Sequence, residues 1–363
     1  PELTAAFAQQ LPARTTRIFE IGFPADLTAH GTGTYLLYYG STGDAPLPAA
    51  PAAPLRYLGA NPGIGIDTGD VVFSLNPKTG SLLYVTPKFG RARRCYDFDQ
   101  GHGRRDLHYN PDVWAPPLGW GHTSDWEMDT PGPYTPTLSV AQGPYAYRSF
   151  RAGIMPRSNE TKTSMVYTFF AGMPFYYASS KMEFTLNTLV NAVRSSEYVF
   201  SRGQMTHAVW AGADGRPQEA PVLDPADPLR VLGHVADLPS DTPYLGLFNA
   251  QDGVGLCLVT LQYHVSALGL ADDAMNLRTQ FYIADPGLHM PGNMAAAFTY
   301  LGRPEIYYVS AVVPRGTLVV ERNAVLIFRV GTGAGRFDDL RYWVKRLRTP
   351  PTVDIAPLPL PPK

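Results

Sequence analysis

The chain has 363 residues, 45% hydrophobic and 17% charged, with a formal net charge of −1 at neutral pH. That length allows one large domain or two ordinary ones. Lys and Arg are neither abundant nor clustered beyond Arg91-Ala-Arg93-Arg94 and Lys345-Arg346-Leu347-Arg348, which speaks against a nucleic-acid partner. No apolar run reaches the roughly 18 residues that span a bilayer, so a soluble chain without a membrane partner is expected. Two cysteines, Cys95 and Cys257, give no disulfide framework, and neither sits in a CxxC pair. The start at Pro1 reads as removal of an initiator Met or as a trimmed chain, and sets the expectation of a cytoplasmic protein. The 35 prolines, 34 glycines, 21 tyrosines and 17 phenylalanines suit an all-β protein with many short strands and long structured loops.

In chain order, residues 1–12 suggest a short helix, and 17–23 and 34–40 suggest strands. Residues 41–54 are Pro- and Ala-rich and read as an extended surface loop. The stretch 71–88, VVFSLNPKTGSLLYVTPK, is a hairpin: Asn76 and Pro77 open its turn and Gly80 supplies a positive φ. Periodicity then fades over 89–148. That segment reads as an ordered, irregular insertion, with 95–130 as a wall over the central sheet. It holds Trp114, Trp120 and Trp126, and also His102, His108 and His122.

The centre of the chain, 164–210, alternates apolar and polar residues in four runs: 164–170, 175–185, 190–200 and 204–210. Their short links predict an antiparallel meander within one sheet. A polar, Pro-rich connection over 211–243 precedes strands at 244–250, 254–266, 278–285, 305–314 and 317–331. Residues 338–348 predict an amphipathic helix, with Leu340, Trp343, Val344 and Leu347 at helical spacing, before a Pro-rich tail over 349–363. The expectation is one β-sandwich domain over 1–363.

The hairpin VVFSLNPKTGSLL and the strand rhythm after it resemble the galactose-mutarotase-like β-supersandwich of aldose epimerases, polysaccharide lyases and glycoside hydrolases. In that group a hairpin reading Asn-x-Lys-Thr-Gly-x-Leu is common near the start of the sheet; here it runs from Asn76 to Leu82. The resemblance implies an all-β, large two-layer antiparallel supersandwich with long loops, here with a C-terminal helix. It also implies a concave face that binds a sugar, glycoside or oligosaccharide, with His, Glu, Asp, Arg or Tyr moving protons. The Asn-His-x-Tyr pattern of aldose epimerases is absent; the nearest string is Gln262-Tyr263-His264.

His207 and His264 lie within strand patterns, and His122 lies in the insertion. Imidazole titrates near neutral pH and suits proton transfer, although a strand histidine is as often a packing residue. Arg194 and Glu197 are charges inside a strand of a low-charge chain; Glu197 and Glu183 would meet across the sheet, and Arg202 lies just beyond. These set the expected catalytic group: His207, His264, Glu197, Arg194 and His122. Trp114, Trp120 and Trp126 suit stacking on sugar faces, with Asp125, Glu127 and Arg202 as polar contacts. No cofactor is required by any motif, and a divalent metal drawn from the insertion's histidines and acids (Asp129 among them) is the alternative. The expected function is a carbohydrate-active enzyme using general acid/base chemistry, foremost β-elimination, in which a His or Tyr base abstracts a proton while Arg194 or Arg202 holds the developing enolate. Hydrolysis by paired carboxylates, epimerisation and glycan binding without turnover are the alternatives.

Overall fold

The computed structural model describes residues 54–91, 111–126, 128, 131–201, 204–224, 226–231, 236–238, 242–266, 281–283 and 298–349. The chain divides into two compact units, Pro1–Ala49 and Ala50–Lys363, and all described residues belong to the second. The helix expected at 1–12, the strands at 17–23 and 34–40 and the tail from Pro350 lie outside the described residues.

Strands β1 (Arg56–Leu58), β2 (Gly65–Asp67), β3 (Val71–Leu75) and β4 (Leu82–Pro87) form a four-stranded sheet in that order. The turn between β3 and β4 is the expected one. The Asn76 side chain accepts from the backbone N–H of Lys78 at 2.7 Å, and Gly80 adopts φ 64°. Next come β5 (Asp112–Ala115), β6 (Gly119–His122), β7 (Thr137–Gln142), β8 (Ala146–Ile154), β9 (Lys162–Phe170), β10 (Phe175–Glu183) and β11 (Thr188–Ser201). They are followed by β12 (His207–Ala211), β13 (Pro217–Pro221), β14 (Leu223–Asp224), β15 (Asp227–Val231), β16 (Ala236–Leu238) and β17 (Tyr244–Asn249). The last are β18 (Val254–Ser266), β19 (Phe281–Ile283), β20 (Phe298–Val313) and β21 (Leu318–Arg329), and then α1 (Asp338–Arg348).

A nine-stranded sheet runs β13-β12-β17-β18-β21-β10-β9-β8-β7, a six-stranded sheet runs β16-β19-β20-β11-β5-β6, and β14 and β15 pair alone. Every paired strand is antiparallel to its neighbour. Alternation explains the strands: in β9, Thr163, Met165, Tyr167 and Phe169 are buried while the residues between them are less so. The same face of β10 sends Tyr176 and Ala178 into a core shared with Phe73 and Val85 of the four-stranded sheet and with Tyr198 and Leu301 of the six-stranded sheet. A second core joins Met182 and Val319 to Val113, Val193 and Ile306. The nine- and six-stranded sheets therefore face each other as two antiparallel layers, as expected.

The opposite face of the nine-stranded sheet is covered by α1. Phe175, Phe248, Leu326 and Phe328 pack with Leu340, Trp343 and Leu347. The helix spans the residues expected for it. Asp338 and Asp339 stand in its first turn and Lys345, Arg346 and Arg348 in its last, which suits the helix dipole at both ends. Among the described residues no helix is long and apolar enough to cross a membrane.

Two expectations are corrected. The central stretch is not a meander: β9 and β10 pair, but β11 lies in the facing sheet between β20 and β5, and β12 lies back in the nine-stranded sheet beside β17. The four-residue link 184–187 turns a corner between layers, with Phe184 buried in the core between them. The insertion at 89–148 is also more regular than expected, since it supplies β5, β6, β7 and the start of β8. Its residues 92–110 lie outside the described residues.

Leu340 is fully buried beneath the nine-stranded sheet. Leu340→Ala should cost about 2–5 kcal/mol through lost burial and the cavity left behind. Urea denaturation checks this, and an unchanged midpoint would show that α1 does not stabilise the sheet.

Candidate functional site

β5 and β6 form a tight hairpin at one edge of the six-stranded sheet, with β11 on its other side. In register, Asp112 faces Arg194 of β11 and His122 of β6, and Trp114 faces Trp120. Val113, Ala115 and Val193 point into the core between the layers. Alternation therefore sends Asp112, Trp114 and Arg194 to the sheet's other face. Register shifts at Val193/Arg194 and Arg194/Ser196 mark a bulge in β11, a usual device for re-aiming side chains.

On this face Arg194 is almost completely buried, with 2% of its surface exposed. Its Nε donates to Asp112 Oδ1 at 2.7 Å, its Nη2 donates to Asp112 Oδ2, and its Nη1 donates to Glu197 Oε1. Two carboxylates thus answer one guanidinium, in the bidentate geometry that favours Arg over Lys. The guanidinium also lies 4.3 Å from the centre of the Trp120 ring. Trp120 stacks on Trp114 at 5.6 Å and on His122 at 5.8 Å.

His122 Nδ1 is 3.4 Å from Asp112 Oδ2, an ion pair without a well-aligned hydrogen bond, and about a quarter of its side chain (24%) meets solvent. Burial, and to a lesser degree the charge of Arg194, would push the imidazole down, but the closeness and charge of Asp112, with the charge of Asp125, outweigh them and raise its pKa. Burial likewise pushes Asp112 up, and the Arg194 and His122 charges together hold it below the ordinary carboxylate value. The depressed Asp112 contributes stability above its unfolded value of 3.8, lost as pH falls through its folded value. The raised His122 contributes stability below its unfolded value of 6.5, lost as pH rises through its folded value. The pair therefore stabilises fully between 3.8 and 6.5.

The structure gathers Arg194, Glu197, His122, Trp114 and Trp120, all singled out from the sequence. It adds Asp112, which sequence reasoning missed. The signal was present: Asp112-Val-Trp-Ala and Gly119-Trp-Gly-His122 both alternate about a Pro-Pro turn, the mark of a short hairpin.

Other expected residues lie elsewhere. Trp126 is fully buried and donates its Nε1–H to the Ile154 carbonyl at 2.8 Å, so it is core and not a sugar wall. Asp125 ends the 3-10 turn Thr123–Asp125 and pairs with Arg157. His207 sits in the nine-stranded sheet, stacked on Phe248 at 5.2 Å with its Nδ1 2.9 Å from Thr206 Oγ1. Burial first, and then the charge of Arg336, lower its pKa. His264 is exposed on β18, and β17 separates the two strands. Opposite His207 is Phe248, and opposite Phe248 is Gly255, nine residues from His264, or roughly 30 Å along the strand. The two histidines do not converge, and His207 does not lie on the sheet that carries Glu197. Glu183 pairs with Lys181 in the nine-stranded sheet at 3.6 Å, so it does not meet Glu197 across a sheet. Nor does the hairpin fold over the six-stranded sheet as a wall, because it forms that sheet's edge. Arg202, Glu127, His102, His108 and Asp129 lie outside the described residues. Among the described residues no three of His, Cys, Asp and Glu are placed to hold a metal ion.

Asp112→Asn should lower the His122 pKa by removing its anionic partner, and should destabilise the fold by about 3–5 kcal/mol, the usual cost of breaking a buried pair. NMR titration of His122 and denaturation read the two effects. An unmoved His122 pKa would rule out Asp112 as its partner.

No protein-family model matches the chain, and no curated protein matches its sequence. Similar solved structures include a glycosyl hydrolase family 38 protein from Enterococcus faecalis, at 8% identity and TM-score 0.45, covering 81% of this chain and 33% of that one. A candidate aldose 1-epimerase from Klebsiella pneumoniae is similar at 9% identity and TM-score 0.42, covering 79% of this chain and 83% of that one. A TPR-domain containing protein from Parabacteroides distasonis is similar at 8% identity and TM-score 0.42, and this chain spans 46% of its length. Each of these likenesses has a TM-score below 0.5 and fixes neither substrate nor reaction.

Proposed function

We propose that this protein processes carbohydrates by proton transfer, on the face of the six-stranded sheet that carries Asp112, Trp114, Trp120, His122, Arg194 and Glu197. The observation that carries the reading is His122, a partly exposed imidazole of raised pKa held beside Asp112 and stacked on Trp120. A raised pKa favours the protonated ring, which suits a general acid. Its Nδ1 is directed at Asp112, which leaves Nε2 for a substrate oxygen. Trp114 and Trp120 supply aromatic area of the kind sugars pack against.

Arg194 and Asp112 act as positioning groups in this reading. β-Elimination asks for a cation to neutralise a developing enolate, and the charge of Arg194 is already divided between Asp112 and Glu197. Acid-assisted chemistry at a glycosidic or hemiacetal oxygen is therefore better supported than elimination by Arg194. Glycan binding without turnover is the second reading. The tight mutual pairing of Arg194, Asp112 and Glu197 favours it, because those groups are held by one another.

The test is a panel of glycosides and oligosaccharides, followed for reducing ends, for change of anomer and for absorbing unsaturated sugars. Turnover without an unsaturated product is expected. His122→Ala should lower it about a hundredfold while sugar binding persists. Unsaturated product would reinstate elimination, binding with no turnover would support the second reading, and full activity of the variant would remove His122 from the chemistry.

A further inference from the structure

Behind the candidate site, on the inner face of the six-stranded sheet, a second group of charges is enclosed between the layers. Arg303 and Glu305 come from β20, and Glu321 and Asn323 come from β21 in the facing sheet. Arg303, Glu321 and Asn323 are fully buried, and Glu305 is 6% exposed. Arg303 Nε donates to Glu321 Oε1 at 2.8 Å, and its guanidinium lies 4.1 Å from the Tyr263 ring centre. The Tyr263 hydroxyl donates to Glu305 Oε1 at 3.1 Å. Among the described residues, Glu305 Oε2, Glu321 Oε2 and both amide atoms of Asn323 have no hydrogen-bond partner. Among the described residues one guanidinium faces two carboxylates, so full ionisation would leave a net negative charge in the interior, which is costly.

We propose that Glu305 is carried as a neutral carboxylic acid in the interior of the sandwich, and that release of its proton to solvent is a switch that loosens the sheet holding Arg194 and Glu197. A neutral acid removes the uncompensated charge. The groups that face Glu305 are Glu321 from β21, Tyr263 from β18, Ser195 from β11 and Arg303 from its own strand. Burial, the largest influence, and the Glu321 charge push Glu305 up, while Ser195, Arg303 and Tyr263 push it down, and it settles at about 8. Ser195 supplies the link to the site. It is the residue between Arg194 and Ser196, at the bulge of β11, and its hydroxyl approaches Glu305 short of a well-formed hydrogen bond. Ionised Glu305 and Glu321 would repel across the layers at the position where β11 aims Arg194.

The sign follows from a folded value raised above the ordinary 4.5. The contribution to stability is complete below 4.5, declines as pH rises, and is gone above about 8. The experiment compares unfolding equilibria of the wild type and Glu305→Gln across this range, with NMR titration of the His122 ring. Between pH 6 and 8 the wild type should lose about tenfold or more in its folding constant beyond the loss that the variant shows through His122. His122 should show a second titration step in the wild type and not in the variant. Superimposable stability profiles overturn the neutral acid, and a His122 ring without the second step overturns the switch. Should Glu305→Gln fail to fold, infrared spectra of the wild type decide: a carboxylic-acid carbonyl band at neutral pH that disappears in alkaline solution with the sheet signal intact supports the neutral acid, and its absence at neutral pH overturns it.

Discussion

A guanidinium taken out of water has to be answered by carboxylates, and the arrangement around Arg194 follows from that requirement. The side chain is sequestered within a β-sheet, where solvation by water is replaced by Asp112 on one neighbouring strand and by Glu197 three residues along its own. Meeting both partners fixes the register of β5 against β11. That register in turn places Trp114 opposite Trp120 and Asp112 opposite His122. A slip of one residue would send Asp112 into the apolar layer between the sheets and expose Val113, so the ion pair and the core specify the same pairing.

The same reasoning applies on the inner face. The sandwich interior is not one apolar mass. The core around Tyr167, Tyr176 and Leu258 and the core around Met182, Val193 and Val319 are distinct clusters, and residues of the polar group, Ser180, Glu321 and Ser195, occupy strand positions between them. Ser180 of the nine-stranded sheet donates to the Ser195 carbonyl of the six-stranded sheet at 3.4 Å, so polar groups bridge the layers as well as separate the cores. Buried polar groups of this kind give up stability relative to apolar packing, and their usual compensation is specificity of arrangement or a role in function. Here they lie directly behind the strand that carries Arg194.

The architecture was legible in the sequence wherever period two was strong. β18 and α1 span the residues expected for them, and the β3–β4 turn has the expected glycine at positive φ. The sheet assignment of β11 was not legible, because alternation identifies a strand without naming its neighbours, and the four-residue link at 184–187 serves a hairpin or a corner equally well. Arg194 and Glu197 drew attention as charges in an apolar strand. Asp112 did not, because prolines, glycines and tryptophans around it masked a hairpin of two four-residue strands. Arg303, Glu305 and Glu321 stood in plain view within strand patterns, but only the facing of two sheets reveals that their charges share one interior.

Placing the aromatic and imidazole groups on a short edge hairpin has a physical consequence. An edge strand is paired on one side only, so among the described strands β6 pairs with β5 alone, and β5 is held to β11 through Asp112 and Arg194 as well as through its backbone. Asp112 therefore does two things at once: it raises the affinity of His122 for a proton, and it ties the hairpin that bears His122 to the body of the sheet. Proton affinity and hairpin position are then linked through one carboxylate. Whatever shifts Asp112, from the solvent side or from the bulge of β11 behind it, changes both the charge on His122 and the place from which that charge is presented.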